Sequence, residues 1–216
     1  MPGSPGAGEG VTRTHELLEA LLADINTSYE MLEVDRGSRY LRRCTVRAVH
    51  SFIDAVLETL KGEIRSTLRL RHVQGLPEFA LTPKDLEVLG TLGVFAPRGG
   101  KFLPLERSFK ATFKLAARVW DVPFQLDTGG EAFRYLLIAK DARNALTHPK
   151  TFYDLEVTDE EMEAHTVAGN WALEEFLRLI TMRWRQVVEL VPVGEQDEMR
   201  ATAHAAFRSD PDAPLV

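Results

Sequence analysis

Arg143-Asn144-Ala145-Leu146-Thr147-His148-Pro149 stands between two segments of helical apolar periodicity, so its reading decides the fold class. Upstream, Phe133, Leu136, Leu137, Ala142 and Leu146 recur at helical spacing and predict a helix from about Glu131 to Thr147. Pro149 stops that helix, because proline lacks an amide hydrogen and pushes the preceding His148 out of the α region. Downstream, Thr158-Asp159-Glu160-Glu161 has the Ser/Thr-x-x-Glu spacing of a capping box. It opens a long helix carrying Met162, Leu173, Phe176, Leu177, Ile180, Trp184, Val187 and Val188, with Pro192 and Gly194 as its end.

Toward the N-terminus the same period continues. Leu17, Leu18, Leu21, Leu22 and Ile25 form one stripe of a helix from about Thr14 to Leu32. Asp35-Arg36-Gly37-Ser38 reads as a turn with Ser38 as N-cap of a second helix, roughly Arg39 to His72. Its apolar face is Val49, Phe52, Ile53, Val56, Leu57, Leu60, Ile64 and Leu68, while a different face carries Arg39, Arg43, Arg47, His50 and Asp54. Gly75 and Pro77 mark its exit. Thr82-Pro83-Lys84-Asp85-Leu86 reads as a short capped helix, Gly90 to Pro104 as loop or a short hairpin, Leu105 to Trp120 as a helix and Val122 to Gly130 as loop. A weak helix is expected from Gln196 to Phe207, and a tail from Ser209. With no repeat and no alternating strand, the class is all-α, an antiparallel helical bundle with irregular loops. The organisation expected is a disordered N-terminal tail at 1–12, a helical domain at 13–193 and a C-terminal helix and tail at 194–216.

A chain of 216 residues, 44% hydrophobic and 27% charged, has room for one well-buried domain. No apolar run approaches the ~20 residues that cross a bilayer, so no membrane partner is expected. The first residues have neither the basic nor the apolar region of a signal peptide. The single Cys44 excludes an internal disulfide and suits a reducing compartment, so the cytoplasm is the expected location. The net charge of −6 argues against general nucleic-acid binding. The charge is uneven, however: nine basic against three acidic side chains from Arg36 to His72, three against eleven from Leu155 to Glu198. A local basic face fits within an acidic protein.

Arg143 is a permanently charged fork that fits phosphate, and His148 can exchange a proton near neutral pH. Asn144 and His148 share a helix face, whereas Arg143 lies about 140° round from His148. The two cannot meet one phosphate unless the helix unwinds or two chains share the site. Arg43 with His50 and Arg65 with His72 have similar spacing but lack the helix-ending proline. Singly, each of the three residues has a plain structural reading: a helix-end arginine, an exposed amide and a C-cap histidine. The row Arg39, Arg43 and Arg47 is either a solvated face or a phosphate-steering strip. Trp171 and Trp184 read as core or dimer-interface anchors. Tyr153 either meets substrate or plugs the core. Glu161 and His165 give two ligands without a third, so no metal and no cofactor is expected. Neither a Gly-rich phosphate loop nor a Ser or Cys nucleophile motif is present.

Arg143, Asn144 and His148, followed by Pro149 and set between a long second helix and a long final helix, resemble the HEPN superfamily over roughly Thr14 to Pro192. That family's signature is Arg-x4–6-His, commonly with a polar residue directly after the arginine. The resemblance implies a helical homodimer with motifs facing each other and a metal-independent ribonuclease of toxin–antitoxin or phage-defence type. It also implies RNA as substrate and an antitoxin or regulatory protein as partner. Some members of the family are instead non-catalytic modules that bind a nucleotide or a protein. His148 would be general acid or base, Arg143 the phosphate stabiliser and Asn144 the orienter. Asp54 would match the acidic residue that the second helix often contributes, with Glu58 and Glu63 as alternatives.

Overall fold

The computed structural model describes residues 7–90, 103–190, 192 and 194–196, with side chains from Glu16 onward. Helices are α1 (Ala7–Val34), α2 (Arg39–Val73), α3 (Pro83–Leu89), α4 (Leu105–Trp120), α5 (Glu131–Thr147) and α6 (Asp159–Glu189). A 3-10 turn at Phe152–Leu155 separates the last two. The described residues contain no strand, and the chain is an all-α helical bundle. None of the described helices is long and apolar enough to cross a membrane.

The helix ends follow local chemistry. The Ser38 hydroxyl accepts a bond from Leu41 N–H at the start of α2. At the other end Gly75, at φ 67°, donates to His72 O while Leu76 donates to Arg71 O. That pair of bonds is a Schellman ending, which needs the left-handed conformation glycine adopts freely. Capping boxes at Thr82–Asp85 and Thr158–Glu161 open α3 and α6. Pro149 ends α5 at Thr147, with His148 as its C-cap at φ −128°, ψ 58°.

Two expectations change. Helix α1 begins at Ala7, seven residues before Thr14, since nothing after Pro5 blocks helical bonding. Leu17 is exposed, whereas Leu18, Leu21, Leu22 and Ile25 pack against the core, so the buried stripe of α1 is narrower than its leucine count. The Phe152–Leu155 turn has no apolar period and is built by a third capping box, Thr151–Asp154. The loop or hairpin expected within Gly90–Pro104 lies largely outside the described residues, as does the expected C-terminal helix beyond Gln196 with its tail.

Helix α2 is the centre of the bundle. It packs against α1, α4 and α6 and is crossed by α5, which in turn lies along α6. Phe52, Ile53, Val56, Leu60 and Ile64 of α2 meet Phe109, Phe113 and Leu115 of α4 and Ala164, Ala168, Ala172 and Leu179 of α6. Gly169 lets α6 approach closely, since a Cβ there would stand 3.2 Å from Val49 Cγ1. A second cluster, Val46, Leu146, Val157 and Met162, joins α2, α5 and α6, with Tyr29 and Leu32 of α1 packed on it. Leu146 sits inside the Arg143–His148 segment, so this cluster pins that segment to the bundle. The Tyr29 hydroxyl and Thr166 Oγ1, 2.5 Å apart, close its edge.

Candidate functional site

Helices α2, α4 and α5 enclose a cleft of about 360 Å³. Its walls are charged in pairs. Arg143 Nη2 stands 3.8 Å from Asp54 Oδ2, Lys61 Nζ 2.7 Å from Glu58 Oε1, and Lys140 Nζ 3.5 Å from Glu106 Oε2. Asn144 lines the same cleft and accepts a 3.3 Å bond from Arg143 Nη1 through its Oδ1. The guanidinium is therefore half-exposed and steered by two neighbours, a geometry that leaves edges free for an incoming anion. Asp54 is half-exposed. Even so, crowding by neighbouring atoms raises its carboxyl above the usual range, against the downward pull of Arg143.

The structure therefore gathers Arg143, Asn144 and Asp54. It does not place His148 on the cleft wall. His148 is exposed at the stopped end of α5, its backbone N–H bonded to Asn144 O at 3.0 Å. The basic row is split from the cleft too. Arg39 pairs with Glu156 at 3.0 Å, Arg43 donates to Leu155 O at 3.2 Å and Arg47 is exposed. Arg39 and Arg43 follow the 3-10 turn beyond the motif, and Arg47 lies one helical turn further along α2. Arg42, outside the row, ties α2 to the start of α6 through Val157 O and Asp159.

His50 is a correction. Grouped by spacing on one face of α2 with Arg39, Arg43 and Arg47, it parts from them in the structure, because it is 3% exposed. Its Nε2–H donates to Ala139 O at 3.0 Å, since a carbonyl only accepts. Its ring meets His165 edge-on at 5.2 Å, and His165 Nδ1–H donates to Glu161 O. The Glu161 carboxylate is occupied by the α6 cap, so Glu161 and His165 are joined through the backbone, not as a ligand pair. Among the described residues no group of three metal-ligating side chains comes together. Trp171 is buried and stacks on Phe109, and Trp184 is half-buried on α6.

Lys61, Lys140 and Glu106 have no place in the Arg-x4-His spacing. A sequence signal exists only for Lys61, a lysine within the apolar run Leu57, Leu60, Ile64. His50 also had one, since it lies between Val46 and Ile53 at helical spacing.

The buried imidazoles make stability pH-dependent. Desolvation, helped by His165, lowers the His50 pKa from 6.5 to about 4. Burial lowers His165 as well. The folded pKa is below the unfolded one, so the unfolded chain takes up the proton first. Stability is full above about pH 6.5 and falls toward pH 4, by up to about 3 kcal/mol for His50 alone. Urea unfolding at pH 7 and pH 4.5 should show that loss, and His50→Gln should reduce it. An equal loss in both proteins would exclude His50 as its source.

Compared with protein-family models, with curated proteins and with solved structures, the chain matches none, so its fold and site stand on its own residues.

Proposed function

We propose that the end of α5 is a metal-independent RNA-cleaving site of the HEPN type, completed by a second copy of the chain. The observation that carries this reading is the Arg143 guanidinium, restrained by Asp54 and Asn144, about one turn from an exposed imidazole on the same stopped helix. His148 accepts the proton of a ribose 2′-hydroxyl, whose oxygen attacks the adjacent phosphorus. The bond from phosphorus to the 5′-oxygen breaks, and that oxygen takes a proton from a second imidazole or from His148 itself. Arg143 meets the charge that builds on the non-bridging oxygens. Arg143 and Asn144 line the cleft while His148 faces outward, which supports a site made from Arg143 of one copy and His148 of another.

Wild-type protein should cut single-stranded RNA in EDTA, leave 2′,3′-cyclic phosphate ends, spare DNA and sediment as a dimer. RNA left intact both in EDTA and in magnesium would remove the enzyme reading. One observation favours a second reading, a nucleotide-binding module without catalysis. Glu58 Oε2 is buried at the cleft without a hydrogen-bond partner among the described residues, ready for a donor on a base edge while Arg143 holds phosphate. Saturable binding of a mononucleotide by a protein that cuts nothing would select it.

A further inference from the structure

Phe152 and Tyr153, four and five residues beyond His148, are 65% and 78% exposed. The turn that holds them is well braced. Lys150 N–H and Thr151 N–H both donate to Asp154 Oδ2 at 2.7 Å, and these bonds hold the Asp154 carboxyl below its ordinary range. From α2, Arg43 donates to Leu155 O, and the Arg39 guanidinium lies 5.7 Å from the centroid of the Phe152 ring. The backbone is thus satisfied inward while two large rings face out. Tyr153 does not plug the core. Tyr40, next to Arg39 on α2, is exposed as well. Aromatic rings beside Arg39 and Arg43, with Arg47 exposed one turn further along α2, combine stacking surface with phosphate charge, the pairing by which unpaired nucleic acid is held.

We propose that Phe152 and Tyr153 are a base-stacking platform, with Arg39, Arg43 and Arg47 as the phosphate track, so that the strand delivered to His148 is single-stranded RNA. This rests on the RNA-cleaving reading above. A duplex keeps its base faces within its own stack and offers the rings nothing. Each phosphate met by these arginines releases a bound cation, so binding weakens with salt, and at Arg39 the phosphate must also displace Glu156.

The test uses full-length His148→Ala protein, which holds RNA without cutting it, and a labelled single-stranded RNA of a dozen nucleotides followed by fluorescence anisotropy. Adding Phe152→Ala and Tyr153→Ala should weaken binding about tenfold or more, with an unchanged salt slope. Replacing Arg39, Arg43 and Arg47 with Gln should flatten that slope instead. Duplex RNA of the same sequence should bind less tightly and ignore loss of the rings. In a Tyr153→Trp protein, added RNA should quench the new indole.

Equal affinity with and without the rings overturns the platform, as does an absence of any binding. Ring removal that turns a dimer into a monomer at unchanged affinity per chain also overturns it and assigns the rings to the contact between copies. Cleavage by wild type in EDTA is measured separately. Ring-dependent binding without cleavage leaves the platform standing and removes the nuclease. Cleavage with ring-independent binding does the reverse.

Discussion

Replacing His148 with alanine is expected to lower the rate of RNA cleavage by about 10²- to 10⁴-fold while leaving stability unchanged. Both halves of that expectation come from its position. The side chain is exposed at the C-cap of α5, and the cap bond to Asn144 O is made by the backbone N–H, which alanine retains. Packing beneath it comes from Leu146 in the cluster with Val46, Val157 and Met162. Alanine therefore removes an acid–base group and little else. On the proposed RNA-cleaving reading, Arg143→Gln should cost a similar order in rate, since it would delete the charge that meets the transition state. It also takes the Arg143 charge from beside Asp54, with Lys61 remaining, so a small stability change is expected there and not at position 148. The measurement is single-turnover cleavage of RNA in EDTA beside urea unfolding of each protein. A His148→Ala protein that cuts at the wild-type rate would exclude the imidazole from the chemistry. One that unfolds much more easily would make it a structural residue.

Phe109→Ala is expected to destabilise the fold by about 3–5 kcal/mol. Phe109 is fully buried at the point where α4 meets α6. Its ring stacks on Phe113 at 4.6 Å and on Trp171 at 5.1 Å, and Trp171 also meets Phe133 of α5 edge-on. Removing one ring therefore opens a cavity bounded by three helices and deletes aromatic contacts worth more than their area. Phe109→Leu keeps most of the volume and should cost clearly less. Urea midpoints at an unchanged slope would report the two values. A loss under 1 kcal/mol for the alanine protein would mean that the core collapses around the gap and that the stack does not hold α4 to α6.

Such effects are unequal in how far they can be read from the chain. The ends of the helices are written in short stretches: Ser38 before α2, Gly75 after it, Thr82 with Asp85, Thr158 with Glu161, and Pro149 after α5. Each of these devices works through bonds spanning no more than five residues, so local sequence suffices to specify it. The apolar faces of α2 and α4 are equally plain, because a period of 3.6 residues places them without reference to any partner. The all-α class follows from those two facts.

Side-chain environments near the boundary between faces follow a different rule. His50 stands at helical spacing from Val46 and Ile53, on the margin where the apolar stripe of α2 meets its basic face. Helices α5 and α6 bury it, through Ala139 O and the ring of His165. Asp54 is one more turn along and stays half-exposed beside Arg143, because the crossing of α5 over α2 brings that guanidinium alongside. Lys61 and Lys140 enter the cleft for the same reason, and His148 stays outside it. Arg39 and Arg43 are drawn to the Phe152–Leu155 turn, which leaves Phe152 and Tyr153 facing solvent. Local spacing sets which residues share a helix face. Which of those faces become wall, floor or open surface is set by where other helices cross, and that depends on residues about a hundred positions away.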